Sequence, residues 1–448
     1  MRTIRIIVGT VYSFILDEEI IKLVRKEFGV QVDNFHRTKA HIERGWDGMI
    51  YPITDKGCFQ TGMLPLFTRR FKELGCAVMG EDSRSNDLEP VAVNLSFLRD
   101  YQRNVVLKAV NNHLGELPFY RGIINGATNA GKTYITLGIW ESFSRAPLIF
   151  LVHRKKLFKQ QVDFFTEQLG EENVGQLNDK ITDIEKPFVI AMYSSAGNVR
   201  LDRFKIVIVD EAHMIKGTKY TRLVKKIKNA DVRFCLSGTA LKVSKLDQYD
   251  VIGSSGDVIS KISNEDLIEG GHSARPIIFM QKIHNEGYFY NWRKVYKDLI
   301  VYNRERNEAI QEFVVKHRKT RQTWVVCRAV AHAELLAEMC SAELLTGKTP
   351  KREGDEIIQG FIEGGYSCVV STMVIDVGMN LPIEAFVVAL GGKSEIDVLQ
   401  LIGRALRKTK FDDVYVLDFF DTGRYVEDHS TERLRIYKEE KFNVEILK

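Results

Sequence analysis

Apolar runs of strand length recur along most of the chain, separated by segments of helical length. They fall at residues 122–125, 148–152, 188–192, 206–209 and 234–236, and again at 323–327, 367–371, 385–390 and 414–419. Nearly unbroken hydrophobic runs of this kind suit a parallel sheet whose two faces are covered by helices. The pattern therefore predicts two α/β units of similar size in tandem, joined by a glycine-containing bridge at 251–276.

Residues 1–90 show a different pattern of predicted strands and helices. A β-rich run at 3–15 precedes a helical pattern at 17–28, and two short strands at 45–53 and 56–62 are predicted to meet at a turn of Asp55, Lys56 and Gly57. A helix at 64–74 and a polar, turn-rich linker at 80–90 follow. We therefore predict a small N-terminal α+β domain at 1–90, with the two larger domains at 91–265 and 266–448.

Composition limits the class of protein. The 448 residues are 44% hydrophobic and 27% charged, as in globular proteins, and no apolar run approaches the length that crosses a bilayer. We therefore expect a cytosolic, unprocessed protein without a membrane partner. The six cysteines form no C-x-x-C pair, so neither zinc nor a disulfide framework is expected.

The net charge of +5 is weak evidence for a polyanionic partner. Local basic clusters are more informative about a polyanionic partner than the total charge is, and they lie at 154–156, 225–228, 316–321 and 404–410. Each cluster is equally compatible with a solvated helix face, which is the common explanation for a short run of charges.

A glycine loop of the form G-x-x-x-x-G-K-[ST] follows the first of these strands. It consists of Gly126, Ala127, Thr128, Asn129, Ala130, Gly131, Lys132 and Thr133. Small residues let backbone N–H groups turn inward around phosphate oxygens, and the helix that follows presents the positive end of its dipole. The loop predicts a nucleotide site in which Lys132 reaches the outer phosphates and Thr133 holds Mg²⁺. The alternative is a glycine-rich turn that matches by chance.

Two carboxylates follow another apolar strand. Asp210 and Glu211 directly follow the run at 206–209, and Asp210 lies 77 residues beyond Thr133. Ligands of such sheets bind at the carboxyl ends of the strands, where Asp210 would complete the Mg²⁺ shell and Glu211 would orient and deprotonate the attacking water. Acidic residues at this point are also common as the start of a helix.

Two arginines in the second α/β unit share a helix face. Arg404 and Arg407 stand three residues apart within 400–407, so both side chains can project into one cleft. Guanidinium groups supplied from another domain can stabilise a transferring phosphoryl group. A surface arginine pair alone would carry little weight.

Together these residues resemble the motifs of superfamily 2 helicases. The resemblance covers about 95–420 and includes 126–133 (motif I), 210–213 (motif II), 237–240 (motif III), 324–327 (start of motif IV), 371–382 (motif V) and 400–407 (motif VI). Gly238 departs from the commoner alanine of motif III, and Asn380 stands where many members have aspartate.

The resemblance implies roles for further residues. Gln102 would read adenine, and His213, Gly378 and Gln400 would line the nucleotide. Motifs Ia (150–154), Ib (191–195) and V would contact a nucleic-acid strand through His153, Arg154, Tyr193, Ser194 and Thr372.

The N-terminal domain resembles the corresponding module of phage-encoded branch-migration helicases of the UvsW type. The resemblance rests on Trp46, Asp47 and Gly48, followed by residues 59–62. It implies a module that binds duplex DNA, although acids and bases balance in 1–90 and composition alone does not demand this.

The resemblance implies an ATP- and Mg²⁺-dependent motor with two RecA-like lobes, the phosphates on the first and the arginine fingers on the second. We expect a monomeric DNA helicase or translocase that acts on single-stranded and branched duplex DNA and remodels forks and junctions. Two alternatives are an RNA helicase and a motor subunit of a restriction-like complex. A clamp that binds ATP without hydrolysis is the alternative outside the enzymes.

Overall fold

The fold is described by a computed structural model that covers residues 2–84, 88–211, 218–239, 241–285, 291–374, 381–392, 401–423 and 425–447, without the side chains of 218–220. The chain divides into a first unit of Met1–Gly126 and Gly131–Lys261 and a second unit of Ala127–Ala130 and Ile262–Lys448. No helix in the described part of the chain combines the length and apolar character that a membrane crossing demands.

The first unit begins with a four-stranded mixed sheet in the order β5-β2-β1-β6. The elements of this N-terminal region, some of them outside that sheet, are β1 (Thr3–Val8), β2 (Tyr12–Ile15), α1 (Glu18–Phe28), β3 (Val30–Gln31), α2 (Lys39–Arg44), β4 (Met49–Ile50), β5 (Cys58–Gln60), α3 (Leu64–Glu73) and β6 (Ala77–Asp82). Alternate residues Ile4, Ile6 and Val8 of β1 are buried with Val24 of α1 and Phe67 of α3. Period-two burial is what a sheet covered on one face requires.

Two details of this region differ from the sequence-based prediction. The predicted linker is wrong at its start, because β6 extends to Asp82 and pairs with β1 in parallel. The predicted hairpin across Gly57 is reduced to one bridge between Ile53 and Phe59, since β4 pairs with β3 and β5 pairs with β2.

The remainder of the first unit is a seven-stranded sheet in the order β11-β12-β10-β13-β14-β9-β15, in which parallel pairings join the strands from β11 to β9. Its elements are α4 (Asp100–Val110), β7 (His113–Leu114), β8 (Leu117–Pro118), β9 (Arg121–Gly126), α5 (Lys132–Ser142), β10 (Leu148–Val152), α6 (Lys155–Leu169), β11 (Val174–Leu177), β12 (Phe188–Met192), α7 (Tyr193–Ala196), β13 (Ile206–Asp210), α8 (Thr218–Lys226), β14 (Val232–Leu236), α9 (Lys245–Ser255) and β15 (Val258–Ile262).

The N-terminal elements share one hydrophobic core with this sheet. That core runs from Ile4 and Phe59 to Ile123 and Val251. The guanidinium of Arg121, at the start of β9, donates to the backbone oxygen of Thr10. These contacts join residues 2–84 to the seven-stranded sheet within the first unit.

The second unit is built on an all-parallel sheet in the order β18-β19-β17-β20-β21-β16-β22. Its elements are α10 (Asn264–Glu269), β16 (Arg275–Ile283), α11 (Trp292–Val295), α12 (Arg304–His317), β17 (Thr323–Val326), α13 (Val330–Cys340), β18 (Glu343–Leu345), α14 (Lys351–Ile362), β19 (Cys368–Ser371), β20 (Ala385–Val388), β21 (Asp413–Asp421), α15 (Val426–Glu439) and β22 (Asn443–Leu447). Separate hydrophobic clusters cover this sheet.

The predicted class is confirmed: two parallel-sheet α/β regions in tandem follow a small α/β region at the N-terminus. The stretch predicted as a bridge at 251–276 does contain the passage from the first unit to the second, at 261–262. It is not an irregular linker, because it contains the end of α9, strand β15 of the first sheet, and α10. The predicted domain boundaries at 90 and 265 stay predictions.

Candidate active site

The glycine loop connects β9 to α5, as its motif predicts. Asn129 and Gly131 have φ angles of 73° and 68°, in the left-handed region. A Cβ at Gly131 would also lie too close to the amide nitrogen of Gln102, so the Gln102 side chain would have to shift. A backbone that turns in this way directs the start of α5 toward the loop, which is the arrangement that binds phosphate.

Lys132, the first residue of α5, reaches back across the loop. Its Nζ donates to the backbone oxygen of Gly126 at 3.2 Å and lies 4.0 Å from Oε1 of Glu211. The ammonium group thus stands between the loop and the carboxylates, where it can bind an anion held by the loop. Thr133 is the next residue of α5 and is half-buried.

Asp210 and Glu211 end strand β13. The Asp210 side chain is 7% exposed. Burial raises the pKa of its carboxyl, the neighbouring Glu211 raises it further, and Lys132 acts in the opposite direction. Two adjacent carboxylates with one lysine leave a shortage of positive charge at the end of this strand.

Glu211 is held in an unusual backbone conformation. Its φ is 50°, and its N–H donates to the backbone oxygen of Leu236 at 2.8 Å. Non-glycine residues rarely adopt this conformation, which costs about 1–3 kcal/mol and persists only where surrounding contacts fix it.

Ser237 contacts the Glu211 carboxylate. Its hydroxyl donates to Oε2 of Glu211 at 3.3 Å and accepts from the N–H of Thr239 at 3.2 Å. Ser237 lies in motif III, and the motif alone does not predict this contact. Strand register is the signal that could have identified it: Asp210 pairs with Leu236, so the residues that follow are neighbours.

These residues fit a divalent cation. Mg²⁺ is commonly held by one or two carboxylates together with substrate phosphates. The buried Asp210 carboxyl, whose pKa is raised by burial and by Glu211, is a group that a cation would stabilise in its ionised form. Asp210 and the Thr133 hydroxyl are the groups that would hold the ion.

Gln102 lies next to the glycine loop. It is buried on α4, its Oε1 accepts from the N–H of Arg99 at 3.0 Å, and its amide nitrogen occupies the space beside Gly131. The structure thus brings Gln102 together with the loop, as the adenine-reading role requires.

In the second unit, the segment Ala127–Ala130 contacts the arginine motif. The Asn129 amide donates to the backbone oxygen of Gly403 at 2.7 Å, and Nε of Arg407 donates to Oδ1 of Asn129 at 3.1 Å. Burial lowers the pKa of the Arg407 guanidinium, and Arg404 is half-buried on the helical residues 401–405.

The predicted strand-contacting residues lie at the carboxyl ends of strands. His153 and Arg154 follow β10 and Tyr193 and Ser194 follow β12, and the pairing of Val152 with Met192 makes these two ends neighbours. Arg154 and Ser194 are exposed, whereas Tyr193 is half-buried and burial raises the pKa of its phenol.

In the second unit, Thr372 follows β19 and is buried, and its N–H donates to the backbone oxygen of Leu345 at 3.0 Å. The remaining predicted site residues, His213, Gly378 and Gln400, lie outside the described residues.

Two protein families match the chain. Residues 96–242 match the family described as type III restriction enzyme, res subunit, and residues 305–409 match the helicase conserved C-terminal domain. The two matches cover the glycine loop, both carboxylates and both arginines.

Individual relatives match over most of the chain. The ATP-dependent DNA helicase uvsW of Enterobacteria phage T4 is 22% identical over 392 residues, covering 77% of this chain and 75% of the relative. The DNA 3'-5' translocase XPB2 of Sulfurisphaera tokodaii is 26% identical over 358 residues, covering 69% and 79%. The crystal structure of T4 UvsW is similar with a TM-score of 0.50 and 18% identity, covering 100% of this chain and 99% of that one. At these identities the structural likeness shows the fold.

Proposed function

Because this chain is a superfamily 2 helicase, an enzyme of the nucleic-acid-dependent ATPase class, we propose that it is an ATP-dependent DNA helicase or translocase that remodels branched DNA. The observation that carries the proposal is the position of Glu211. Its carboxylate stands between Lys132 and Ser237, beside the buried Asp210.

Each residue of this group has a chemical task. Lys132 exchanges its bond to the Gly126 oxygen for the outer phosphates of ATP, which it neutralises. Glu211 orients a water molecule toward the terminal phosphorus and accepts its proton, while Ser237 fixes the carboxylate in place. Mg²⁺, held by Thr133 and Asp210, would supply charge that offsets the phosphate oxygens.

The arginines of the second unit complete the proposed reaction. Arg404 and Arg407 would stabilise the charge that develops on the transferred phosphoryl group, as guanidinium groups do in related reactions. Asn129, which accepts from Nε of Arg407, would fix the orientation of that side chain.

We propose DNA as the polymer because of the names of two relatives and because of exposed residues at two neighbouring strand ends. The phage T4 and Sulfurisphaera relatives are named as a DNA helicase and a DNA translocase. Arg154 and Ser194 are exposed at neighbouring strand ends, where they can contact a sugar–phosphate backbone without reading its sequence. The preference for branched DNA rests on the likeness of the N-terminal residues to the UvsW type.

ATPase activity tests the proposal. We expect hydrolysis to be stimulated more by forks and four-way junctions than by single strands, linear duplex or RNA, and to be absent in Lys132→Ala. Equal stimulation by RNA would contradict the assignment of DNA, and equal stimulation by linear duplex would contradict the preference for branches.

A second candidate function is a motor subunit of a restriction-like complex. It is favoured by the match of residues 96–242 to the res subunit family. Such a motor would translocate along duplex DNA, so its ATPase rate would rise with the length of linear duplex and would not depend on a junction.

A further inference from the structure

One face of the N-terminal sheet is exposed. Along β1, Ile4, Ile6 and Val8 are buried, whereas Thr3 and Arg5 point to the other side. The same alternation continues along β2, where Ser13 and Ile15 are buried and Tyr12 and Phe14 are exposed. Because successive side chains of a strand alternate between faces, these residues define one exposed surface. We refer to this surface, formed by Arg5, Ile7, Tyr12, Phe14, Cys58, Met79 and Glu81, as the open face.

Two aromatic rings lie on the second strand of the sheet. Tyr12 and Phe14 are each 39% exposed. Phe14 lies between Ile7 of β1 and Cys58 of β5, and Tyr12 lies beside Gln60. Exposed aromatic side chains on a strand flanked by other strands form a flat apolar surface supported from beneath by the sheet core.

Basic residues of α8 adjoin this surface. Nζ of Lys225 lies 5.3 Å from the centre of the Tyr12 ring. The next residue, Lys226, donates from Nζ to the backbone oxygen of Gly197 at 2.7 Å. Arg222, on the same helix, is exposed. The open face itself has no excess of charge, since Arg5 is offset by Glu81, which pairs with Ile7. Attraction of a polyanion would therefore come from α8.

These contacts form a continuous path. Gly197 caps α7, which contains the exposed Ser194 at the carboxyl end of β12. The path runs from Ser194 through Lys226 and Lys225 to Tyr12 and Phe14, entirely within the first unit. One end is the proposed strand-contacting edge of the seven-stranded sheet, and the other end is the open face.

We propose that the open face is a base-stacking platform for single-stranded nucleic acid, which takes the strand that leaves the edge of the first sheet. Sequence-tolerant binding of single strands combines a basic groove for the backbone with aromatic rings for the bases. The path has both components in that order. Duplex DNA is a poorer occupant, because its bases are already stacked and their faces are hidden. The inference rests on the proposed function, since it assumes that a strand occupies the edge near Ser194.

Oligonucleotide length tests the platform. We expect wild-type protein to bind thymidine oligonucleotides of about 20 nucleotides more tightly than those of about 8, because the longer strand reaches the open face. The Tyr12→Ala, Phe14→Ala double variant should lose about tenfold or more of affinity for the long strand and keep its affinity for the short one.

Control variants separate stacking from folding. Tyr12→Phe combined with Phe14→Tyr keeps both rings and should bind the long strand as the wild type does. Leu74→Ala removes a comparably exposed apolar side chain, 43% exposed, beyond the end of α3. It should leave both affinities unchanged. ATPase stimulation by the short strand should be the same in all of these proteins.

Tryptophan fluorescence can report directly on binding of a strand to the open face. Tryptophan introduced by Phe14→Trp should be quenched by the long oligonucleotide and not by the short one, after subtraction of the wild-type signal. The platform would be ruled out if the alanine double variant kept its affinity for the long strand, or if it lost affinity for duplex alone. If wild-type protein bound neither oligonucleotide and showed no stimulation, the proposed function itself would fail.

Discussion

Glu211 combines a left-handed backbone, with a φ of 50°, and a carboxylate contacted from two sides. A residue is kept in such a conformation only where surrounding contacts fix it, here the bond from its N–H to the Leu236 oxygen. The conformation places the side chain beside Ser237. The geometry of the proposed base is therefore set by the neighbouring strand β14 as well as by its own motif.

Ser237→Ala should lower kcat for ATP hydrolysis about tenfold with little change in KM, because the serine positions Glu211 and is not expected to contact the substrate. Thr239→Val is the matched control. Its hydroxyl is buried and has no hydrogen-bond partner among the described atoms, so its removal should leave kcat unchanged. Steady-state kinetics in the presence of a fork measures both. A rise in KM with unchanged kcat in Ser237→Ala would contradict the positioning role.

Asp210→Asn should stabilise the nucleotide-free protein while it abolishes hydrolysis. Burial and Glu211 raise the pKa of Asp210, so the folded state holds its proton more tightly than the unfolded state does. The stability from this group is present below the ordinary carboxyl pKa and is lost as the pH rises through the raised one. At neutral pH the asparagine avoids that loss, and Tm should rise by about 2–4 °C.

The comparison of Tm between Asp210→Asn and wild type should be made across pH without Mg²⁺ or nucleotide. The difference should grow from acidic toward neutral pH, following the direction of the pKa shift. A difference that stays constant over this range would show that the carboxyl does not titrate there.

Among the strands, those that are fully buried are the ones whose bounds the sequence predicts best. Strands β10 and β12 were located to the residue, at 148–152 and 188–192, because every position in them is buried and apolar. Only the end of strand β6, residues 80–82, falls within the predicted linker, because β6 lies at the edge of its sheet. Its last residues, Gly80, Glu81 and Asp82, remain solvent-accessible and polar.

The glycine loop was identified from its motif because the chemistry of phosphate binding constrains consecutive residues. The contact of Ser237 with Glu211 and the contact of Asn129 with Arg407 join residues distant in sequence, so they depend on strand register and packing that no local pattern encodes.

Gly62→Ala should destabilise the packing of the N-terminal elements on α9. A Cβ at Gly62 would collide with the backbone oxygens of Ile252 and Gly253, which cannot move as a flexible side chain can. We expect a fall in Tm and faster proteolysis within residues 2–84. Gly197→Ala is the control, because no atom beyond Gly197 and its two chain neighbours is recorded within 4 Å of the position of its Cβ. Equal Tm values for the two variants would contradict this packing.

The same packing affects how removal of residues 1–90 should be interpreted. The sequence predicts that removal of residues 1–90 leaves a DNA-stimulated ATPase with weaker preference for branched DNA. Because the N-terminal residues share a hydrophobic core with the first seven-stranded sheet, we expect the truncation to expose apolar surface. Point variants of the open face are therefore the cleaner test of what this region binds.

At the scale of the whole molecule, the proposed reaction draws on both units. Lys132, Asp210 and Glu211 belong to the first unit and Arg407 belongs to the second. We therefore expect Arg407→Ala to bind ATP with nearly wild-type affinity and to lose at least about 100-fold in turnover. Lys132→Ala should lose hydrolysis altogether. Equilibrium binding of a fluorescent ATP analogue, measured beside the ATPase rate, separates the two outcomes. Hydrolysis by Arg407→Ala at the wild-type rate would contradict the role of the second unit.

Remodelling of branched DNA is measured most directly by conversion of a labelled four-way junction into forked products, followed over time with ATP and Mg²⁺. We expect wild-type protein to convert the junction only when ATP can be hydrolysed, and Glu211→Gln to bind ATP and the junction without converting it. Vigorous ATP hydrolysis by the wild type without any conversion of the junction, or conversion by Glu211→Gln at the wild-type rate, would contradict ATP-driven remodelling of branched DNA by this protein.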